Sequence, residues 1–78
     1  MKIYIVNCTF NLTQTVIDCA FRKEADAEAY INALNEDKAK AIARCKELIA
    51  MREGEDMVPY LVEEYAVKFV IVTVELNV

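Results

Sequence analysis

Residues 24–52 are the only long stretch of this chain with a clear helical period, and they constrain its fold more than any other segment. Apolar residues recur there at steps of three, four and seven, which lines them along one side of a helix with 3.6 residues per turn. Gly54 directly after the stretch predicts its carboxyl-terminal end. We expect the shorter segments to pack against this apolar stripe, whose members are Ala27, Tyr30, Ile31, Leu34, Ala41, Ile42, Cys45, Leu48 and Ile49.

Four consecutive polar residues at positions 35–38 interrupt the stripe. Either Lys38 reaches solvent from an unbroken helix, or the helix bends or breaks there with Asn35 or Asp37 capping a second helix. An unbroken helix of this size would be roughly 43 Å long at about 1.5 Å per residue. An eight-residue strand spans only about 26 Å. A straight helix would therefore overhang its sheet, and its far end would need another partner.

Two segments before the helix have the composition of strands. Residues 2–9 are rich in branched and aromatic types, and both alternate sets of side chains are largely apolar, which predicts a strand that is central or covered on two sides. Residues 15–21 follow closely enough to form an antiparallel hairpin with it. Strict alternation would place Asp18 on the face opposite Cys19, partly in contact with water at a sheet edge.

The carboxyl-terminal part begins with an ambiguous segment. Apolar spacing over residues 58–66 favours a short helix with Pro59 at its first position, and a strand beginning at Tyr60 is the alternative. Residues 67–76 then form the most apolar strand of the chain. One of its faces carries Val67, Phe69, Ile71 and Thr73, and the other carries Val70, Val72, Val74 and Leu76.

Together these segments predict one α+β domain over residues 1–78 with the order ββααβ. We expect a three-stranded antiparallel or mixed sheet in the strand order 2-1-3, with a right-handed crossover through the helices. The long helix, bent or broken near 35–38, would pack on one sheet face, so the other face would keep exposed apolar residues from the first and last strands. That face, the free edge of the last strand or the overhanging helix end would then form a homodimer or another protein contact.

Composition and charge also indicate a binding surface. A hydrophobic content of 56% is high for 78 residues, because so small a domain has a limited interior. The net charge of −4 argues against binding to nucleic acid or anionic membranes. Residues 53–64 carry five acidic and no basic side chains, which makes them either a solvated edge or a docking site for a basic partner surface. These candidate partner-binding residues are Glu53, Glu55, Asp56, Glu63 and Glu64.

No residue pattern in the chain carries recognisable catalytic or metal-binding chemistry. The sequence contains no His and a single Gly, which argues against histidine bases and phosphate-binding loops. Cys8, Cys19 and Cys45 lack Cys-x-x-Cys spacing and have no His as a base, so they predict reduced, structural thiols. No cofactor and no enzyme activity are expected. No stretch reaches transmembrane length, and a soluble cytoplasmic protein is predicted.

A resemblance to known proteins rests on three segments: the opening Met-Lys-Ile-Tyr-Ile-Val, residues 20–31 (Ala-Phe-Arg-Lys-Glu-Ala-Asp-Ala-Glu-Ala-Tyr-Ile) and residues 72–76 (Val-Thr-Val-Glu-Leu). They resemble small hairpin, helix and strand (ββαβ) proteins of unknown function encoded in phage and prophage genomes. The resemblance implies no activity and no functional residues. It implies a phage accessory protein, a class in which small acidic domains bind and block a host or defence protein.

The function predicted from the sequence is a non-catalytic protein–protein interaction module. One alternative is an acidic mimic of nucleic acid that occupies a basic groove, although nine basic residues against thirteen acidic ones dilute such a surface. A structural homo-oligomer is the second alternative.

Overall fold

A three-stranded antiparallel sheet and the helices on one of its faces form the fold. The computed structural model describes residues 1–77, and Val78, the last residue of the predicted domain, lies outside the described residues. The elements are β1 (Lys2–Thr9), β2 (Thr15–Phe21), α1 (Glu24–Asn35), α2 (Lys38–Glu53), a 3-10 turn (Glu55–Met57), α3 (Val58–Leu61), a second 3-10 turn (Glu64–Ala66) and β3 (Lys68–Glu75). The predicted α+β class is confirmed.

The sheet has the predicted strand order, β2-β1-β3, and both neighbouring pairs are antiparallel. The strand with two apolar faces, β1, is therefore the central one. The hairpin between β1 and β2 closes without glycine because the Asn11 carboxamide oxygen accepts hydrogen bonds from the backbone N–H groups of Thr13 and Gln14, at 2.9 Å and 2.8 Å. Such side-chain capping lets Asn stabilise a turn with ordinary backbone dihedrals.

The helical stretch is broken, as one of the two alternatives predicted. Helix α1 ends at Asn35 and α2 begins at Lys38, and the Asp37 carboxylate caps α2 by accepting a hydrogen bond from the N–H of Lys40 at 3.3 Å. The Lys38 amine donates to the carbonyl of Val67 at 2.8 Å, so it ties the break to the chain entering β3. Helices of 12 and 16 residues are roughly 18 Å and 24 Å long. Neither needs to overhang the strands.

Replacing the cap residue tests this account of the break. We expect Asp37→Ala to lower the free energy of unfolding by about 1 kcal/mol, because one amino-terminal N–H of α2 loses its acceptor. Chemical denaturation monitored by circular dichroism measures the change. Glu36→Ala is the matched control, because the exposed Glu36 carboxylate makes no cap hydrogen bond to α2. An equal loss of stability in both variants would contradict the capping role of Asp37.

The segment before β3 is less helical than its apolar spacing predicts. A single helical turn, α3, ends at Leu61, and Val62 is already extended with φ −92° and ψ 116°. The next residue, Glu63, donates its N–H to the carbonyl of Phe10 at 2.9 Å. This hydrogen bond to the hairpin loop forms in place of a further helical turn. The Val62 side chain is buried in the core beside it.

One hydrophobic core lies between the sheet and the helices. Alternate residues of β1 and β3 supply its floor, and the predicted stripe of α1 and α2 supplies its roof. The prediction that helices cover one sheet face is confirmed. The buried core residues are Val6, Cys8, Phe10, Ala27, Ile31, Ala41, Cys45, Leu48, Ile49, Val62, Val67 and Phe69.

Candidate functional site

The sheet face turned away from the helices is apolar across all three strands. Because Val6, Cys8 and Phe69 point into the core, their neighbours along each strand point to the opposite side. The cross-strand register places these neighbours in rows, for example Ala20, Ile5 and Val72. We define the open face as Ile3, Ile5, Asn7, Ile17, Ala20, Val70, Val72 and Val74.

The open face is accessible and almost free of charge. Ile17 is 63% exposed and Val72 is 42% exposed, while the other large apolar side chains of the open face are half-buried by one another. Among the strand residues, only Lys68 brings a formal charge to this side of the sheet, at the end of β3. A second cation, Arg52 of α2, borders the face beside Thr15 and lines the depression next to Asn7. The expectation that one sheet face keeps exposed apolar residues is therefore confirmed.

Asn7 is the one polar member of the open face. It lies on the central strand between Ile17 of β2 and Val70 of β3. Within residues 1–77, its carboxamide oxygen is the only buried side-chain nitrogen or oxygen atom without a hydrogen-bond partner. A depression of about 550 Å³ adjoins it, with Ile5 and Val72 among the lining residues. An unsatisfied buried acceptor costs on the order of 1–3 kcal/mol, so Asn7 lowers the stability of the protomer at the centre of this face.

A β-bulge at Asp18 corrects the predicted alternation of β2. Val6 pairs with Cys19 and the next residue, Asn7, pairs with Ile17, so Asp18 is an extra residue in the ladder. The predicted wet position of Asp18 is wrong, because its side chain is 0% exposed. Strict alternation would also place Val16 and Cys19 on opposite faces, and this is wrong as well: the bulge switches the alternation, so that both side chains pack against the core. Only the edge position of β2 is confirmed.

The buried Asp18 carboxylate is held by side chains from both long helices. Arg44 of α2 donates from Nη2 and Nε to Asp18 Oδ1, at 2.6 Å and 3.1 Å, and the Tyr30 hydroxyl of α1 donates to Asp18 Oδ2. A further nitrogen of Arg44 contacts Glu47 at 2.6 Å. These charge-assisted bonds satisfy the carboxylate and join β2 to α1 and α2. The arrangement is that of a structural cross-link.

The ionisation of Tyr30 reports on this cross-link. Burial, together with the hydrogen bond to Asp18, raises the pKa of Tyr30 to about 12. The ordinary value is about 10, so the environment of Tyr30 stabilises the fold below pH 10, and that stabilisation is lost as pH rises from 10 to 12.

Alkaline titration of Tyr30→Phe beside the unchanged protein is the corresponding experiment. We expect the absorbance change of phenolate formation to lose its highest-pH step in the variant. We also expect the variant to lose less stability between about pH 10 and about pH 12. Superimposable stability profiles for the two proteins would contradict the assigned pKa of Tyr30.

Two of the three thiols, Cys8 and Cys19, have environments that disfavour the reactive thiolate, whereas the hydrogen bond with Cys8 lowers the pKa of Cys45, which is fully buried in the core. A hydrogen bond with Cys45 and burial in the core raise the pKa of the Cys8 thiol well above its ordinary value. Burial, and then the nearby charge of Asp18, raise the pKa of Cys19. Since the thiolate is the nucleophile, these surroundings favour the predicted structural role. Cys8, Cys19 and Cys45 are free thiols.

The predicted acidic residues lie on the helical side of the molecule, because the 3-10 turn after Gly54 and helix α3 pack against α2. All five are exposed, but part of their charge is neutralised. Glu53 contacts Arg52 at 3.0 Å, and Glu64 contacts Lys46. The structure therefore does not bring the acidic residues to the open face. Partner binding by Glu53, Glu55, Asp56, Glu63 and Glu64 stays a prediction.

A second groove, also of about 550 Å³, lies where the helix break meets the entry to β3. Two of its polar side chains are already used in the fold: the Lys38 amine bonds to Val67, and the Asn11 side chain closes the hairpin. A ligand site needs a few polar groups that converge on bound molecules. The open face is therefore the stronger candidate.

Sequence reasoning identified the open face but missed that Asn7 is buried at its centre and that Asp18 is bound by the helices. Asn7 could have been noticed as the one amide in an otherwise apolar set of β1. Asp18 carried no such signal, because a bulge depends on pairing with the neighbouring strand.

No helix within residues 1–77 is long and apolar enough to cross a membrane. Comparison with known proteins assigns no family: the chain matches no protein family model, and no curated protein or solved structure is significantly similar to it.

Proposed function

We propose that this protein is a non-catalytic protein–protein interaction module that binds its partner through the open face. The observation that supports this function is the apolar surface across β2, β1 and β3, in which Asn7 is the one polar member. With strands about 4.8 Å apart and about 3.4 Å per residue, this surface measures roughly 14 Å by 20 Å. That is about 280 Å², close to the largest apolar patch of a typical monomeric protein, which is often a functional surface.

The chemistry of the open face defines the kind of partner. The strands bring only Lys68 as a charge to this side, and Arg52 of α2 borders it, so the partner surface should be apolar where it meets β1 and β3 and can carry an acidic group at the rim near Arg52. A host protein, as the resemblance to phage accessory proteins implies, or a second copy of the chain could supply such a surface. We place the interaction in the cytoplasm, where free cysteines stay reduced.

The nucleic-acid mimic receives less support from the charge arrangement. A mimic needs a dense surface of one sign. Here Lys46 pairs with Glu64 and Arg52 pairs with Glu53, so part of the acidic segment is neutralised.

Double charge reversal, Glu63→Lys with Glu64→Lys, measures what the acidic segment contributes to partner binding. We expect partner affinity to change by less than about threefold, the range of a rim charge, and a loss above about 30-fold would return the acidic segment to the binding site.

Carbene footprinting tests the proposed function directly. The purified protein at submicromolar concentration is labelled alone and again in a lysate of its source cells. We expect labelling of the β1 and β3 peptides to fall severalfold when a partner is present, while labelling of the exposed side of α1, around Ala29 and Ala33, stays constant. Unchanged labelling of the open face, both in lysate and at high protein concentration, would contradict the proposed function.

A matched pair of variants locates the effect. Val72→Lys puts a charge on the open face, and Thr73→Lys puts the same charge on the adjacent residue of β3, whose side chain lies on the other side of the sheet. Both positions are exposed, so both variants should fold. Protection should disappear in Val72→Lys and persist in Thr73→Lys. Equal behaviour of the two variants would place the contact elsewhere.

A further inference from the structure

We propose that the partner is a different protein that adds an extended segment to the free edge of β3, antiparallel to that strand, while the rest of the partner lies on the open face. This inference rests on the proposed function and deepens it by giving the mode of recognition and the chemistry of the partner. Three features of the described residues support it: the difference between the two sheet edges, the positions of the charges on β3 and the size of the open face.

The two edge strands of the sheet differ in how they are protected against added strands. An edge strand carries unpaired backbone N–H and C=O groups, and a bulge is one of the devices that keep another chain from pairing with them. β2 has such a bulge at Asp18. β3 pairs with β1 in continuous register over all eight of its residues, and it has neither a proline nor a charge between Lys68 and Glu75. β3 is therefore the edge on which another strand can pair.

The outer backbone groups of β3 are unpaired and accessible. Within residues 1–77, β1 is the only strand beside β3, and no side chain bonds to its outer edge. The nearest such bond, from the Lys38 amine, goes to the carbonyl of Val67, just before the strand begins. Val72 and Thr73 lie on opposite faces of β3, and both are exposed. The second half of this edge is therefore open on both sides of the sheet.

Charge on β3 defines the ends of the segment that fits this edge. The strand is bounded by Lys68 and Glu75, and both are exposed. In the part of the chain that the structure describes, Lys68 makes no ion pair, and Glu75 contacts the terminal amine of Met1 at 3.8 Å. Opposite charges on paired strands attract. An antiparallel segment would thus carry an acidic residue opposite Lys68, a basic residue opposite Glu75 and branched apolar side chains on the open-face side.

The areas of the two surfaces favour a different protein over a second copy. The β3 edge is about 27 Å long and about 10 Å thick, so it is as large as the open face of about 280 Å². A partner that contacts both would bury about 1,100 Å² in total, near the lower end of specific interfaces. Two copies paired edge to edge about a two-fold axis would leave both open faces exposed, and two copies packed face to face would leave both edges free.

Two N-methylated peptides provide the test of the edge. Both have the sequence Lys-Val-Thr-Val-Thr-Val-Thr-Glu, which places the valines on the open-face side and the glutamate opposite Lys68 when the peptide is antiparallel to β3. One peptide is methylated on the backbone nitrogens of its odd-numbered residues, and the other on those of its even-numbered residues. Because successive N–H groups of a strand point to opposite edges, only one of the two peptides presents free N–H groups to β3.

NMR spectroscopy of the isotope-labelled protein measures the binding of each peptide. We expect one peptide to bind with a dissociation constant of about 1 mM or less and to slow hydrogen exchange of alternate β3 amides. The other should bind at least about tenfold more weakly, because it cannot donate the backbone hydrogen bonds. Amide signals of β2 should stay unchanged, since its bulge blocks pairing.

Lys68→Glu tests the orientation of the added segment. We expect it to weaken binding of the better peptide by about threefold, the effect of a rim charge, and exchange of the two terminal residues of the peptide should restore binding. Lys40→Glu is the matched control, because Lys40 is exposed on α2, away from the edge. Equal effects of the two substitutions would contradict the antiparallel arrangement.

The outcomes separate this inference from the proposed function. If neither peptide binds at about 1 mM, or if both bind equally, the added strand is wrong; protection of the open face in lysate would then still support the proposed function. If the unchanged protein dimerises in sedimentation velocity and the dimer slows exchange of the β3 amides, the added strand comes from a second copy, and the assignment to a different protein is wrong. Unchanged labelling of the open face in lysate and at high protein concentration would overturn both.

Discussion

Arg44→Met should lower the free energy of unfolding by about 3 kcal/mol, the scale expected when one partner of a buried ion pair is removed. The Asp18 side chain is 0% exposed, so it cannot recover hydration when the Arg44 donors are lost. Only the Tyr30 hydroxyl would remain as a side-chain donor. Methionine keeps most of the apolar volume of the arginine stem, so the loss would report on the stranded carboxylate. Urea denaturation of the variant and the unchanged protein gives the difference directly.

The reverse change, Asp18→Asn, is the matched control and should have a smaller effect of about 1 kcal/mol, the value of an ordinary hydrogen bond. Asparagine keeps an acceptor for Arg44, and the guanidinium, whose side chain is 30% exposed, can still reach water and Glu47. The physical basis of the prediction is this asymmetry between a buried and a half-exposed partner. Equal losses in the two variants would contradict it.

Phe10→Ala should have the other large effect, a loss of about 3–5 kcal/mol, as expected for a large aromatic residue removed from a core. Phe10 is among the largest fully buried side chains, and the Arg52 guanidinium lies 5.2 Å from its ring centre. Truncation would leave a cavity beneath the hairpin and beside the end of α2. Small domains have only about 5–15 kcal/mol of total stability, so a measurable unfolded fraction at 37 °C is expected.

Leu12→Ala is the control for Phe10→Ala, because Leu12 lies two residues further along the same loop and is 80% exposed. We expect it to change stability by no more than about 0.5 kcal/mol. Thermal unfolding followed by circular dichroism compares the two variants. A similar loss in both would mean that the hairpin loop, rather than the core packing of Phe10, carries the effect.

Much of the fold was predictable because its signals are local. The 3.6-residue period of residues 24–52 and the two-residue period of the strands each arise within one segment, and β1 and β2 begin and end where the sequence predicted. The helix break was foreseen as an alternative because polar residues 35–38 interrupt the stripe. The open face followed from apolar residues on both sides of β1 and β3, since one helical layer covers a single face.

The sequence by itself determined the order of the elements, the central position of β1 and the apolar character of both sheet faces, because side-chain periodicity reports directly which sides of an element avoid water. Only the tertiary structure decided that Asp18 is bulged and buried, that Phe10 belongs to the core and that α3 ends after a single turn. Each of these features depends on contacts between residues far apart in the chain, such as Arg44 with Asp18 and Glu63 with Phe10. The intrinsic preference of a residue for helix or strand is weaker than such tertiary contacts. No pattern within one segment could therefore reveal these three features.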